Sequence, residues 1–596
     1  MTQRPESDPT PRDWWPRDWW KAAVVYQVYP RSFADSNGDG IGDIAGIRQR
    51  LDHLERLGVD VLWLSPVYRS PMDDNGYDIS DYQDVDPLFG TLADLDGLIA
   101  DLHDRGMKLV MDLVVNHTSS AHAWFQESRS SKDDPKRDWY WWRPPRPGHT
   151  GGEPGAEPTN WGSAFSESAW TFDPGTGEYY LHMFASSQPE LNWENPEVRR
   201  AVYAMMNWWL DRGVDGFRMD VINLISKVVH DDPPDLRDGV KGGPDRQAGP
   251  IDTVRFGDPG PYVLHGPRVH EFLQEMHREV FARRPAGLLN VGETPATTVE
   301  QGLLYTDPAR AELDMVFQFE HVDLDSGPGG KWDVVPMTSR DLVDSLARWQ
   351  EGMGEVGWNS LYLGNHDQPR CVSRFGDDSP EHRVRSAKAL ATLLHLHRGT
   401  PYIYQGDELA MANVPFRDIN DTRDIESHNA YRAALTRGQD PDLAMAAIRY
   451  KGRDNARTPM QWDATEHAGF TTGSPWLEVS PDHVTVNAAA QVDDPDSVFS
   501  HHRRLIELRH QEPVVVHGSY TRLLPDSEHV HGYLRSLDGR ELLVVVNLSG
   551  TDGQEAGVPD APAWASAELV LSNAGEPAER DRIVLGPWEA RVYRRG

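Results

Sequence analysis

The chain has 596 residues, of which 38% are hydrophobic and 26% charged, and its formal net charge is −34. This length exceeds one compact core, so we expect two or three domains. The negative charge disfavours nucleic acid and anionic membranes as partners, because basic side chains are needed to neutralise phosphate. The single cysteine, Cys371, excludes an internal disulfide framework and a zinc site held by cysteines.

Hydropathy along the chain gives no sign of a membrane protein. The first 22 residues contain no apolar segment of the secretory type, and no run of 18 apolar residues occurs anywhere in the sequence. We therefore expect a cytoplasmic protein without a membrane span. The sequence leaves the oligomeric state open.

Eight short apolar runs alternate with amphipathic helical patterns, among them Ile47–Leu57, Glu197–Arg212, Arg268–Arg284 and Val498–Arg509. Apolar strands that alternate with helices favour a parallel sheet covered by helices, and eight such units predict an α/β fold of the closed (β/α)₈ or TIM-barrel type. Chemistry in that fold takes place at the C-terminal ends of the strands. The runs are Ala23–Pro30, Val59–Pro66, Lys108–Val115, Val214–Asp220, Leu288–Thr294, Leu313–Glu320, Ser360–Asp367 and Thr400–Gly406.

The spacing of the runs predicts further domains. Residues 116–185, between the third and fourth strands, are rich in Trp, Gly, Pro and Ser and predict a small inserted domain. Residues 514–596 alternate polar and apolar side chains between turns, which predicts a C-terminal antiparallel β-sandwich. The barrel would then comprise residues 1–115 and 186–513, with a long loop at about 228–262.

Charged and polar side chains end several of the predicted strands. A barrel would gather them around one mouth, and so many independent structural ion pairs at one mouth are improbable. A single buried Arg–Asp pair, by contrast, would need no function. The residues are Asn116 and His117, Arg218 and Asp220, Glu293, and Asn365, His366 and Asp367, with Tyr77 and Asp78 in the loop after the second strand.

These segments resemble the α-amylase family of glycoside hydrolases along most of the chain. Gln188–Asn192 (QPELN) resembles the segment that marks the oligo-1,6-glucosidase branch, and Gly399–Gln405 and Arg453–Trp462 resemble later segments of that branch. The four signature segments of the family correspond to Asp112–His117 (DLVVNH), Gly216–Asp220 (GFRMD), Gly292–Glu293 and Asn365–Asp367 (NHD).

The resemblance implies a retaining glycosidase with three catalytic carboxylates. Asp220 would be the nucleophile, Glu293 the acid and then the base, and Asp367 the group that holds the sugar hydroxyls. A retaining mechanism predicts about 5–5.5 Å between the first two carboxyl groups. Arg218 lies on the same strand face as Asp220 and is expected to keep it ionised, whereas Glu293 must hold a proton near neutral pH.

The same resemblance assigns substrate-binding side chains. Tyr77 would stack beneath the sugar, His117 and His366 would donate to its hydroxyls, and Phe184 would also bind it. Asp78 and Arg457 would close the non-reducing end, so that the pocket is blind and cleavage is exo, with Arg453 as an alternative to Arg457.

A second constellation follows the first strand. Asp35, Asn37, Asp39, the Ile41 carbonyl and Asp43 place oxygen atoms at every second position, as in a calcium loop. Gly46 stands where an EF-hand would carry glutamate, so the loop instead resembles the structural calcium loop of this branch. Magnesium is an alternative ion, and a solvated acidic turn without metal is the alternative structure. No organic cofactor is expected.

Val221 follows the nucleophile directly and indicates the bond that is cleaved. Members of the branch that prefer α-1,6 bonds tend to carry Val at this place, and α-1,4 members tend to carry Ala or Thr. We therefore expect an exo-α-glucosidase acting on small α-1,6-linked gluco-oligosaccharides, with transglucosylation as a further activity. The alternatives are an α-1,4-glucosidase, a transglucosylase, or a catalytically inactive binding relative. The loop at 369–375 lacks the arginine-rich motif of sucrose isomerases.

Overall fold

Eight parallel strands form the centre of the computed structural model, which describes residues 18–165, 167–228, 256–284, 287–577 and 582–596. Neighbouring strands pair in the order β6-β5-β4-β3-β2-β1-β8-β7, and a parallel bridge between Val316 and Asn359 closes the ring. This confirms the predicted barrel and all eight of its strands. They are β1 (Val25–Val28), β2 (Val61–Leu64), β3 (Lys108–Leu113), β4 (Gly216–Met219), β5 (Leu289–Glu293), β6 (Met315–Phe317), β7 (Ser360–Leu361) and β8 (Thr400–Tyr404).

Helices cover the outside of the barrel. The pattern predicted at Ile47–Leu57 is divided into two helices at Arg50, and the pattern at Arg268–Arg284 ends in a 3₁₀ turn, Phe281–Arg283. The covering helices are Ile44–Gln49, Leu51–Leu57, Leu92–Asp104, Pro196–Asp211, Val269–Glu279, Val299–Thr306, Ser339–Met353, Arg383–His395 and Val498–Gln511. Most of the long loop predicted at 228–262 lies outside the described residues.

The alternation of side chains along the strands determines where the site can form. On β2, Val61 and Trp63 belong to the core inside the barrel, whereas Leu62 and Leu64 pack outward against the helices. On β4, Phe217 and Met219 face the helices, so Arg218 points inward, where its guanidinium lies over the Trp63 ring.

The remaining segments lie around the barrel. Between β3 and β4, Trp142–Arg143, Glu178–Leu181 and Trp170–Asp173 form a small antiparallel sheet. Two hairpins, Tyr68–Arg69 with Asp81–Val85 and Ser326–Gly327 with Gly330–Val334, follow β2 and β6. Further short helices are Ala123–Ser128, Gly260–Val263, Cys371–Phe375, Ile425–Thr436, Pro441–Lys451, Asp454–Arg457, Ala488–Gln491, Pro513–His517 and Ala561–Ala565.

The C-terminal region is an antiparallel β domain, as predicted. One face of its sheet shares a core with the helix Arg383–His395, and the Tyr533 hydroxyl donates to the Leu393 carbonyl at 2.7 Å. The other face packs on the helix Ala561–Ala565 and on the strand pair Gln554–Glu555 and Val584–Leu585. The strands pair in the order Ser519–Leu523, Val530–Leu537, Arg540–Asn547, Ala590–Arg595 and Glu568–Ser572.

Within the described residues, no helix combines the length and the apolar character that crossing a bilayer requires.

Candidate active site

One buried guanidinium lies at the centre of the barrel mouth. Arg218 is 1% exposed, and its Nη1 lies 2.8 Å from Asp112 Oδ1 and 2.7 Å from Asp220 Oδ1. Its Nη2 lies 2.5 Å from Glu293 Oε1. The strand register explains this, because Asp112 on β3 and Val291 on β5 both sit directly beside Arg218. The predicted nucleophile and acid therefore share one cation.

The charges around Asp220 do not simply favour its ionised form. Burial raises the pKa of the Asp220 carboxyl well above its ordinary value, and the charges of Glu293 and Asp112 act in the same direction against Arg218. Arg218 acts on the Asp220 pKa in the predicted direction, because its guanidinium favours the carboxylate, but Asp112 and Glu293 share the same guanidinium. A retaining reaction requires one carboxylate and one carboxylic acid from such a pair.

The backbone turns sharply directly after Asp220. Val221 has φ = 36° and ψ = 43°, a left-handed conformation that is strained for a β-branched residue. In this conformation its N–H donates to Glu293 Oε2 at 3.1 Å, while its side chain, which is 8% exposed, faces the pocket. The turn therefore places the predicted linkage-determining residue between nucleophile and acid.

A cavity of about 1020 Å³ opens in front of these groups. Its size suits a small saccharide. The cavity brings together the three predicted catalytic carboxylates and four of the predicted binding residues: Asp220, Glu293, Asp367, Tyr77, His117, Phe184 and Val221 all line it.

The other four predicted binding residues lie behind this lining. Asp78, Arg218, His366 and Arg457 are each at most 1% exposed. His366 stacks on Tyr77 with ring centroids 5.0 Å apart, and its Nδ1 lies 2.8 Å from Gln27 Nε2. These residues can support the groups that contact the sugar. His366, which was predicted to contact the sugar directly, is instead buried behind the cavity lining.

The closed end of the pocket uses a different pair from the one predicted. Asp78 accepts from Ser70 Oγ at 2.9 Å and from the N–H groups of Asp73 and Asp74, so it stabilises the loop. Asp74 and Arg453 line the cavity instead, and Arg453 Nη2 lies 3.0 Å from Asp74 Oδ1. The pair predicted from Asp78 and Arg457 is therefore corrected to Asp74 and Arg453.

Asp367 is held as an anion by the side chains around it. Burial raises the pKa of its carboxyl, but His366, Arg453 and Arg457 outweigh burial and hold the pKa well below its ordinary value. Arg457 Nη2 lies 2.7 Å and Arg453 Nη1 3.3 Å from Asp367 Oδ1. A fixed anion of this kind can accept hydrogen bonds from sugar hydroxyls.

His117 is kept neutral by its surroundings. Burial lowers the pKa of its imidazole to about 4, and the ring is 1% exposed. Its Nε2 lies 3.2 Å from the Tyr77 carbonyl, and its ring lies 5.1 Å from that of Phe184. A neutral imidazole at this position can donate to a sugar hydroxyl without adding charge.

The predicted calcium loop binds its own backbone in this structure. Asp35 accepts from the N–H groups of Asn37, Gly38 and Gly40, and Asp43 caps the following helix through the Gly46 N–H. Nowhere in the described ranges do three or more Asp, Glu, His or Cys side chains gather closely enough to hold a metal ion. Asp39 Oδ1 accepts from the Ile41 N–H at 2.9 Å. Calcium binding at this loop stays a prediction.

Several residues of the site were not predicted from the sequence. Asp112 lies within the quoted DLVVNH segment, and its place inside an apolar strand could have identified it as a buried charge. Asp74 lies three positions before Tyr77 in an acidic loop, where nothing distinguishes it from Asp73 and Asp78. Phe165, Phe319 and Trp332 also line the cavity, and the sequence carries no signal for them.

A closed barrel with paired carboxylates at its mouth is the arrangement of barrel glycoside hydrolases. The family model described as alpha amylase, catalytic domain, matches residues 27–518, and the chain belongs to the α-amylase family.

Known relatives match over almost their whole length. The oligo-1,6-glucosidase of Parageobacillus thermoglucosidasius is 56% identical over 98% of this chain and 99% of that protein. The oligo-1,6-glucosidase of Halalkalibacterium halodurans is 54% identical over 97% and 98%. A crystal structure of the trehalose-6-phosphate hydrolase of Bacillus licheniformis superposes with a TM-score of 0.88 at 44% identity, covering 97% of this chain and 99% of that one.

Proposed function

We propose that this chain is a retaining exo-α-glucosidase that removes terminal α-1,6-linked glucose from small isomalto-oligosaccharides. The observation that carries the proposal is the sharing of Arg218 by Asp220 and Glu293 at the base of the cavity. The similarity to two oligo-1,6-glucosidases at 56% and 54% identity supports the α-1,6 linkage.

In the proposed reaction, Asp220 attacks the anomeric carbon while Glu293 protonates the leaving oxygen. The bond between glucose and the leaving group breaks, and a glucosyl ester of Asp220 forms. Glu293, now a carboxylate, takes a proton from water, which attacks the ester and releases glucose. Asp367 accepts from the hydroxyls of the bound sugar throughout. Asp220→Asn or Glu293→Gln should remove nearly all turnover while the fold is preserved.

The proposed pocket accepts one glucose and excludes the chain beyond it. Asp74 and Arg453 form an ion pair at its inner end, and both are buried. A buried pair can bind the hydroxyls of a terminal sugar and leaves no path for a further one. Exo cleavage follows from this closure.

The charge of the cavity favours neutral sugars over phosphorylated ones. Its described lining carries nine carboxylate side chains against three cationic ones. Two of those cations are already paired, Lys331 with Glu426 at 2.6 Å and Arg453 with Asp74 at 3.0 Å. A phosphate group needs unpaired cations, so a trehalose-6-phosphate hydrolase is disfavoured although such an enzyme is a structural neighbour.

The test compares kcat/KM on isomaltose, maltose and trehalose 6-phosphate. The proposal expects isomaltose to be preferred and trehalose 6-phosphate to be the poorest substrate. A clear preference for maltose would defeat the linkage but leave the mechanism, and cleavage of none of the three would favour an inactive binding relative.

A further inference from the structure

A fully buried ion pair lies directly behind the wall of the pocket. Lys227 Nζ is 2.8 Å from Glu190 Oε2, and the two side chains are 1% and 0% exposed. Neither residue lines the cavity. Lys227 follows the turn after β4, and Glu190 lies in the segment that returns from the small sheet inserted after β3.

The pair holds three pieces of the pocket wall together. Lys227 Nζ donates to the Leu224 carbonyl at 2.6 Å and to Asn116 Oδ1 at 3.4 Å. Glu190 Oε1 accepts from the Met183 N–H at 3.2 Å. Leu224 and Met183 both line the cavity, and Asn116 precedes His117. The ion pair thus connects the segment that carries Val221 to the end of β3.

The pair also fixes which way the Asn116 amide points. Lysine can only donate and an ionised glutamate can only accept, so Oδ1 must face Lys227 and Nδ2 must face Glu190, which it meets at 2.9 Å. Nδ2 also lies 3.2 Å from His117 Nδ1. Because the amide nitrogen donates, His117 Nδ1 must accept, and the imidazole proton resides on Nε2 beside the Tyr77 carbonyl.

Stability alone does not account for such a pair. Two buried charges often contribute no more than well-packed apolar residues of similar volume, because desolvation offsets their attraction. We propose that Lys227 and Glu190 are positioning residues for the glycosidase reaction: they set the Asn116 amide, which holds His117 as the neutral Nε2–H tautomer. This tautomer donates to the Tyr77 carbonyl in the empty pocket and can donate to a hydroxyl of the bound sugar instead.

This inference rests on the proposed function. Its test uses whichever glucoside the wild type cleaves, so the inference can be tested even if the preferred linkage is not α-1,6. Lys227→Met leaves Glu190 buried without its cation, and we expect a lower Tm. Lys227→Met/Glu190→Gln removes both charges, and we expect Tm to recover while kcat/KM remains roughly 100-fold below wild type, the cost of a misplaced binding group.

Two further measurements separate positioning from stability. Arg591→Met breaks a comparably buried pair with Glu589, at 2.6 Å in the C-terminal sheet, and should lower Tm without changing kcat/KM. In ¹⁵N-histidine spectra, with the His117 signal assigned by its loss in His117→Gln, the wild type should show the Nε2–H tautomer and the double variant a mixture. A double variant with wild-type kcat/KM, or with an unchanged His117 signal, would overturn the proposal. The double variant alone is enough for this test if Lys227→Met does not fold.

Discussion

Arg218 is the side chain on which the site depends, because it neutralises carboxylates that could not otherwise share one cavity. Asp112, Asp220 and Glu293 all contact its guanidinium. Carboxylates this close repel one another, and a cation in contact with all of them reduces that repulsion. The same guanidinium therefore brings the three carboxylates together and offsets part of their mutual repulsion.

The corrected inner end of the pocket gives a paired prediction. Asp74→Asn should raise KM for isomaltose about 10–100-fold, the effect of losing a hydrogen bond to a charged group. Asp78→Asn should instead lower Tm with little change in KM, because Asp78 binds only its own loop. Kinetics and thermal unfolding of both variants check this, and the opposite assignment of effects would restore Asp78 as the pocket residue.

Val221 should determine the preferred linkage through its shape. Its side chain faces the pocket beside Glu293, and Val221→Ala would enlarge the site where the leaving sugar binds. Discrimination by one or two methyl groups is worth about 10-fold or more. We expect the ratio of kcat/KM on isomaltose to that on maltose to fall by that amount. A ratio that stays at the wild-type value would show that Val221 does not determine the preferred linkage.

The eight barrel strands could be predicted because each is a continuous apolar run. Such a run is visible in the sequence without knowing which strands pair with it. Their ends were less accurate. β7 contains only Ser360–Leu361, whereas the apolar run continues to Asp367, because the chain leaves the sheet to form the loop that carries His366 and Asp367. Asp220, Glu293 and Asp367 could be found because each ends or follows an apolar run, and the family resemblance supplied their roles.

The pairing of loops could not be predicted. Asp74 and Arg453 are 379 positions apart in the chain, and neither belongs to a strand of the barrel. Sequence periodicity carries no information about which of several neighbouring acids, such as Asp73, Asp74 and Asp78, meets a distant arginine. Only the three-dimensional course of the loops decides this.

The loop Asp35–Asp43 tests the metal prediction. Calcium should bind there through Asp39 and the neighbouring oxygens and raise Tm, because an ion that binds only the folded state stabilises it. Treatment with a chelator should lower Tm, calcium should restore it, and Asp39→Ala should abolish the difference. Equal Tm values with calcium and with chelator would identify the loop as a turn stabilised by its own hydrogen bonds.

Buried neutral histidines should make the whole protein unstable in acid. Burial lowers the pKa of His182 and His502 to about 4 and that of His321 and His397 to about 3. The unfolded chain binds these protons near pH 6.5 and the folded chain does not. Stability is therefore complete above pH 6.5 and falls as the pH is lowered, by about 1.4 kcal/mol per histidine per pH unit until the folded pKa is reached.

Thermal unfolding between pH 7 and 4.5 measures this effect. Two effects act in the opposite direction. Burial raises the pKa of Asp314 and Asp407 to about 7, so the folded chain gains these protons first. Protonation also relieves the repulsion that comes with a net charge of −34, which salt screens. The scan should therefore be made at low and high salt, and Tm should fall with pH in both. A Tm that is constant or rises toward pH 4.5 at high salt would contradict the histidine account.

The central claim is that Asp220 attacks the sugar while Glu293 serves as acid and base, and trapping the intermediate tests it most directly. In Glu293→Gln, an α-glucosyl fluoride needs no acid to leave, but the ester that forms lacks the base for its hydrolysis. Peptide mass spectrometry should then find one glucosyl group on Asp220. A glucosyl group on another residue, or none while the wild type turns over the same fluoride, would contradict the account.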